Sequence, residues 1–147
     1  MPATKATIGY GAIFFTGNSA SPIVYTAMAE VKSIKPAIAT IPAIDATHLL
    51  SPNATEEKLP GLIKPGTFEV SGNFIGDTTQ LNILTLAEAR TVFPFKMTAP
   101  INSGTQVYTC SGTAFVSKYE NGPYEASKLN EFSLTLEITG TVTEIVA

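Results

Sequence analysis

Residues 129–142 read Leu-Asn-Glu-Phe-Ser-Leu-Thr-Leu-Glu-Ile-Thr-Gly-Thr-Val. Phe132, Leu134, Leu136, Ile138 and Val142 share one side of a period of two, and Glu131, Ser133, Thr135, Glu137, Thr139 and Thr141 share the other, the pattern of a half-buried β-strand. Gly140 marks a bend or bulge in it. Upstream, Gln106 to Tyr119 alternates less cleanly, with Tyr108, Cys110, Ala114 and Val116 opposite Val107, Thr109, Thr113 and Phe115. Asn121, Gly122 and Pro123 place a hairpin loop over 120–128, so the chain ends in a long β-hairpin.

Working outward, Thr7 to Thr16, Ile23 to Lys35, Ile41 to His48 and Thr67 to Ile75 read as strands rich in Thr, Ile, Val, Tyr and Phe. Val92 to Thr98 reads as a shorter strand, which Pro94 assigns to a sheet edge. Asp77-Thr78-Thr79-Gln80 has the spacing of a helix-capping box and predicts a helix over about 78–90. Leu81, Leu84 and Ala87, widened by Ile83 and Leu86, form its apolar side, with Asn82, Thr85 and Glu88 toward water. The expected fold is mainly β, a two-sheet sandwich or barrel with one flanking helix and a long loop over about 49–66.

The 147 residues suit a single domain spanning 1–147. Charged residues make up 14%, against about 25% in an average soluble domain, while hydrophobic residues reach 44%. That composition excludes disorder, and a net charge of −3 without a basic stripe argues against electrostatic nucleic-acid binding. The longest uncharged run, Ala6 to Ala29, is broken by Gly17, Asn18, Ser19, Ser21 and Pro22, so membrane insertion is not expected. The N-terminus lacks the sustained apolar core of a signal peptide, and synthesis in a cytosol is expected.

Chemistry is sparse. His48 is the sole histidine, and on a strand its spacing from Asp45 puts the two on opposite faces, which disfavours a Ser-His-Asp triad. Cys110 lies mid-strand without a basic neighbour and reads as an inert small hydrophobe. Gly9-Tyr10-Gly11 is not a phosphate loop, and Asn53-Ala54-Thr55 matches a glycosylation acceptor only by chance. No catalytic, cofactor or metal constellation is expected, and the chain is not expected to be an enzyme. The loop from Leu49 to Gly66 is the outlier: it carries turn residues and the cluster Glu56, Glu57 and Lys58, yet also Leu49, Leu50, Leu59, Leu62 and Ile63. It reads as an arm that orders against a partner, or as a loop folded over its own core.

The strand ending Ile44-Asp45-Ala46-Thr47, the loop closing Leu59-Pro60-Gly61-Leu62-Ile63-Lys64-Pro65-Gly66, the strand Thr67 to Phe74, the capped helix starting at Gln80-Leu81 and the ending Glu-Ile-Thr-Gly-Thr-Val-Thr together resemble the major tail tube proteins of long, non-contractile-tailed bacteriophages. The resemblance runs from about Val24 onward and rests on diffuse Gly, Pro and apolar patterns. It implies a sandwich with one helix, no active site and no cofactor. It further implies self-assembly into hexameric rings that stack into a hollow tube in the virion tail. Tape measure and tail-end proteins would be partners, and DNA would pass through without specific binding. By position, Leu49, Leu50, Glu56, Glu57, Lys58, Leu59, Leu62, Ile63 and Lys64 would form the arm contacting other subunits or rings. The strand faces with Glu69, Glu131 and Glu137 carry no Lys or Arg and would suit a phosphate-repelling lumen, or simply face solvent. The alternatives are a tube of a secretion or contractile injection system, and a carbohydrate- or cell-surface-binding sandwich, which the absence of Trp disfavours.

Overall fold

The computed structural model of the chain describes residues 3–18, 20–36 and 39–147. Its elements in order are β1 (Ile13–Gly17), β2 (Tyr25–Ala27), β3 (Val31–Pro36), β4 (Ala43–Asp45), β5 (Lys58–Pro60), β6 (Thr67–Asn73), α1 (Thr78–Glu88), β7 (Phe93–Ile101), β8 (Gln106–Asn121) and β9 (Glu131–Val146). Seven strands form one antiparallel sheet in the order β2-β1-β7-β8-β9-β6-β3, and β4 and β5 form a second, two-stranded sheet.

The alternation at the C-terminus decides which face is buried. Phe132, Leu134, Leu136 and Ile138 of β9, Cys110 and Ala114 of β8, Phe93, Phe95 and Met97 of β7, Phe68 and Val70 of β6 and Phe14 of β1 all turn inward. Although β1 and β6 lie near opposite ends of the sheet, the Phe14 and Phe68 rings sit 5.6 Å apart, and Phe68 is 5.0 Å from Phe95. The sheet therefore curls over its own core into a sandwich-like arrangement, and since β2 and β3 do not pair, the barrel stays open. These two ring pairs, which share Phe68, stabilise the closure beyond their area burial by roughly 1 kcal/mol per pair.

Gly140 and Gly72 are each required by geometry. Gly140 has φ +83°, and around it β9 carries extra residues opposite Gly112, since Ser111 pairs with Thr143 and Thr113 with Thr139; the bulge expected from the sequence is there. At Gly72 an added Cβ would lie 2.2 Å from the Glu30 carbonyl oxygen, so only glycine lets the turn before β3 cross β6.

Several expectations are corrected. The strand expected over Thr7 to Thr16 is reduced to its last part, and Ile23 to Lys35 is split by a turn in which Glu30 adopts φ 58°. Pro94 is not on an edge: β7 lies between β1 and β8, and the proline is tolerated where the β1 ladder ends, one residue past the Thr16–Phe95 pair and against Gly17. The helix is rotated from the expected face. Gln80 and Ile83 are buried and Leu86 packs on the core, whereas Leu81 and Leu84 are exposed. Gln80 does not reach back to the cap; it is fully buried, its Oε1 accepting from the Ile75 N–H (3.0 Å) and its Nε2 donating to the Asn73 (2.8 Å) and Ala29 (2.9 Å) carbonyls. Asp77 caps alone, accepting from the Thr79 hydroxyl (2.6 Å) and N–H (3.3 Å), which hold its carboxyl below the ordinary range.

Candidate functional site

The segment read as a long loop is a projecting hairpin. Ile44 pairs with Leu59 and Asp45 with Lys58 across β4 and β5, and below them Thr40 and Lys64 exchange backbone hydrogen bonds of 2.8 and 2.7 Å. Of Ile41 to His48, expected as a strand, Ala43–Asp45 is one, paired within the arm, and the 49–66 loop is half of a hairpin. Backbone pairing comes from within the segment: the Gly61 N–H donates to the Pro42 carbonyl (2.8 Å) and the Ala46 N–H to the Glu57 carbonyl (2.9 Å).

The tip is a closed set of side-chain hydrogen bonds. The Ser51 hydroxyl donates to Glu57 Oε2 (2.7 Å) and accepts from the His48 N–H (2.9 Å), while the Ser51 N–H returns to the His48 carbonyl (3.0 Å). His48 Nδ1 accepts from the Leu50 N–H (3.2 Å), and its Nε2 lies 3.3 Å from Glu57 Oε2. An Nδ1 acceptor leaves the proton on Nε2, facing the carboxylate. Serine, histidine and carboxylate do meet here, but the carboxylate sits between the other two. Glu57, not the imidazole, takes the serine hydrogen bond, so no base faces the Ser51 oxygen in the order a nucleophilic triad requires. Asp45 turns away to Thr47, whose hydroxyl and N–H hold its carboxyl below the ordinary range.

What the arm lacks is a core. No residue from 39 to 64 is buried, and Ile41, Ile44, Leu49, Leu50, Leu59, Leu62 and Ile63 are all exposed, Leu49 completely and Leu50 and Leu62 at 86% and 87%. Of the two readings of the loop, folding over its own core is overturned. Exposed aliphatics thus gather on a hairpin whose backbone hydrogen bonds come from within the segment.

Glu69, Glu131 and Glu137 lie together on the outer face of β6 and β9, where Glu69 pairs with Thr135, Glu137 with Thr67 and Glu131 with Asn73. The strands' own sequence omits what their neighbours add. Lys35 of β3 stands opposite Glu69, Lys32 forms a 2.9 Å ion pair with Glu131, and Lys118 of β8 pairs in register with Thr135. The lysine-free acidic face expected from β6 and β9 alone is thus a mixed face, on which Glu69 and Glu137 make no ion pair among the described residues.

Elsewhere the concavities hold little chemistry. A cleft of about 590 Å³ between residues 9–12 and β3 is lined by Val31, Ile34, Met97 and Ala99, with Tyr10 and Lys32 as its titratable groups. Among the described residues no cluster of metal-binding side chains occurs, and no helix is long and apolar enough to cross a membrane. Cys110 is fully buried, and burial pushes its thiol up, away from the reactive thiolate.

The fold is similar to the tail of an empty gene transfer agent particle with C6 symmetry (TM-score 0.73, 14% identity, 95% of this chain and 99% of that one). It is also similar to the anti-feeding prophage cap, a tube-terminating structure (TM-score 0.73, 15% identity, 100% and 95%), and to the SPP1 tail tube (TM-score 0.65, 13% identity, 95% and 77%). At such identities the likeness is one of fold. No curated protein matches the chain. The family model for the lambda phage tail tube protein matches residues 11–139. With most of its length matched, the chain belongs to the lambda phage tail tube protein family and is a structural tube protein of phage-like tails.

Proposed function

We propose that the chain assembles into six-membered rings that stack into a hollow tail tube through which DNA leaves the particle, with no enzymatic activity of its own. The carrying observation is the coreless arm: seven large aliphatics are exposed on a hairpin that already satisfies its own backbone. Such a surface gains roughly 25 cal/mol for each Å² of apolar area covered, and a neighbouring subunit or ring supplies the cover. Leu49, Leu50, Glu56, Glu57, Lys58, Leu59, Leu62, Ile63 and Lys64 form this contact. The six-fold tube structures of the same fold support the ring.

The outer face carrying Glu69, Glu131 and Glu137 lines the lumen, where unpaired carboxylates keep phosphate from adhering. Lys32 neutralises Glu131, so Glu69 and Glu137 carry most of the effect. Synthesis takes place in the host cytoplasm, and tape measure and tail-end proteins cap and fill the tube. The fold likeness to a contractile injection system sheath–tube complex (TM-score 0.70, 14% identity, 94% of this chain and 90% of that one) favours a tube of that kind as the second reading. Electron microscopy of the purified protein tests the proposal. Rings and tubes with six-fold symmetry are expected, and a protein that stays monomeric at high concentration in the presence of tail-end nuclei overturns it.

A further inference from the structure

The arm's leucine corner is tied to the chain's single imidazole, that of His48. Leu49 and Leu50 occupy the turn after His48, and the Leu50 N–H is held by His48 Nδ1 at 3.2 Å. That bond exists only while Nδ1 carries a lone pair. A proton added there sets two donors against each other, so the Leu50 N–H must leave, while Nε2–H facing Glu57 becomes a charge-assisted contact. We propose that protonation of His48 releases the Leu49–Leu50 corner and thereby weakens the contact made by the arm; this rests on the arm being the assembly surface.

The groups around the imidazole are few. Glu57 Oε2 faces Nε2 at 3.3 Å and also accepts from the Ser51 hydroxyl at 2.7 Å. Glu56 pairs loosely with Lys58 at 3.9 Å, and Asp45 is engaged by Thr47. Asp45, held below the ordinary carboxylate range, stays charged where a histidine titrates. Histidine is the side-chain type whose ordinary range of charge change lies between about pH 5 and 8. Histidine occurs once in the sequence, so a single imidazole signal reports the event.

The test is an NMR titration of the unassembled chain, paired with sedimentation of tubes at pH 7.5 and 5.5. The expected result is an Nε2–H tautomer at pH 7.5, a Leu50 amide shift that follows the imidazole midpoint, and a several-fold loss of pelletable tubes at pH 5.5. His48→Asn keeps an acceptor for Leu50 that cannot take up a proton; its Leu50 shift and tube yield should both stop depending on pH in this window. An Nδ1–H tautomer at pH 7.5, or a Leu50 amide indifferent to the imidazole, overturns the switch. If Leu50 follows the imidazole while tube yield stays flat, the coupling of corner to assembly is overturned; if deletion of Leu50 to Lys64 also leaves tubes intact, the fault lies in the arm reading itself.

Discussion

Gln80 carries more of the fold than its type suggests. It is a fully buried amide whose three hydrogen bonds tie the helix start to Asn73 at the end of β6 and to Ala29 in the turn before β3. Gln80→Leu leaves the Ile75 N–H and two carbonyls without partners. At about 1–3 kcal/mol for each unsatisfied buried group, partly relieved by relaxation, a loss of about 3 kcal/mol is expected in urea unfolding. Gly72→Ala is expected to be as damaging, because its Cβ would meet the rigid Glu30 carbonyl. The spacing of Asp77 and Gln80 was enough to place the helix start. It could not show what Gln80 binds, since one partner lies 51 residues away and no local pattern encodes it.

Among elements, α1 shows why periodicity finds a helix more readily than its buried face. Leu81, Leu84 and Ala87 form as good an apolar stripe as Ile83 and Leu86, and only tertiary anchoring through Gln80 selects the second. Ile83→Ala should therefore cost about 3 kcal/mol in thermal or urea unfolding, while Leu81→Ser and Leu84→Ser should each stay within about 0.5 kcal/mol. The Asp77 cap has a pH signature. Its folded pKa is depressed, so its stabilisation is present above the ordinary carboxylate range and is lost as pH falls through the lowered value. Acid titration followed at the Thr79 amide should show that loss, and Asp77→Asn should remove it. β9 was legible almost residue by residue because one face is core and the other is not, whereas Pro94 misled because the end of the β1 ladder is set by a partner strand remote in sequence.

For the whole molecule, scarcity of charge and excess of aliphatics point to the same surface. A chain with 14% charged residues leaves its arm without any buried residue, and that arm carries seven exposed leucines and isoleucines. Sequence reading found the arm by composition but not as a hairpin, since three-residue strands carry too short an alternation to register. It also missed the lysines beside Glu69 and Glu131, because strand order decides which charges are neighbours. Glu69→Lys together with Glu137→Lys should leave assembly intact and slow DNA release from complete particles; release at the normal rate would count against a lumenal face. Most of the arm can be removed without touching a buried residue. Circular dichroism and electron microscopy of a protein lacking Leu50 to Lys64 therefore make the most direct measurement: the β signal should persist with no tubes formed, and tubes of normal length from that variant would contradict assembly through the arm.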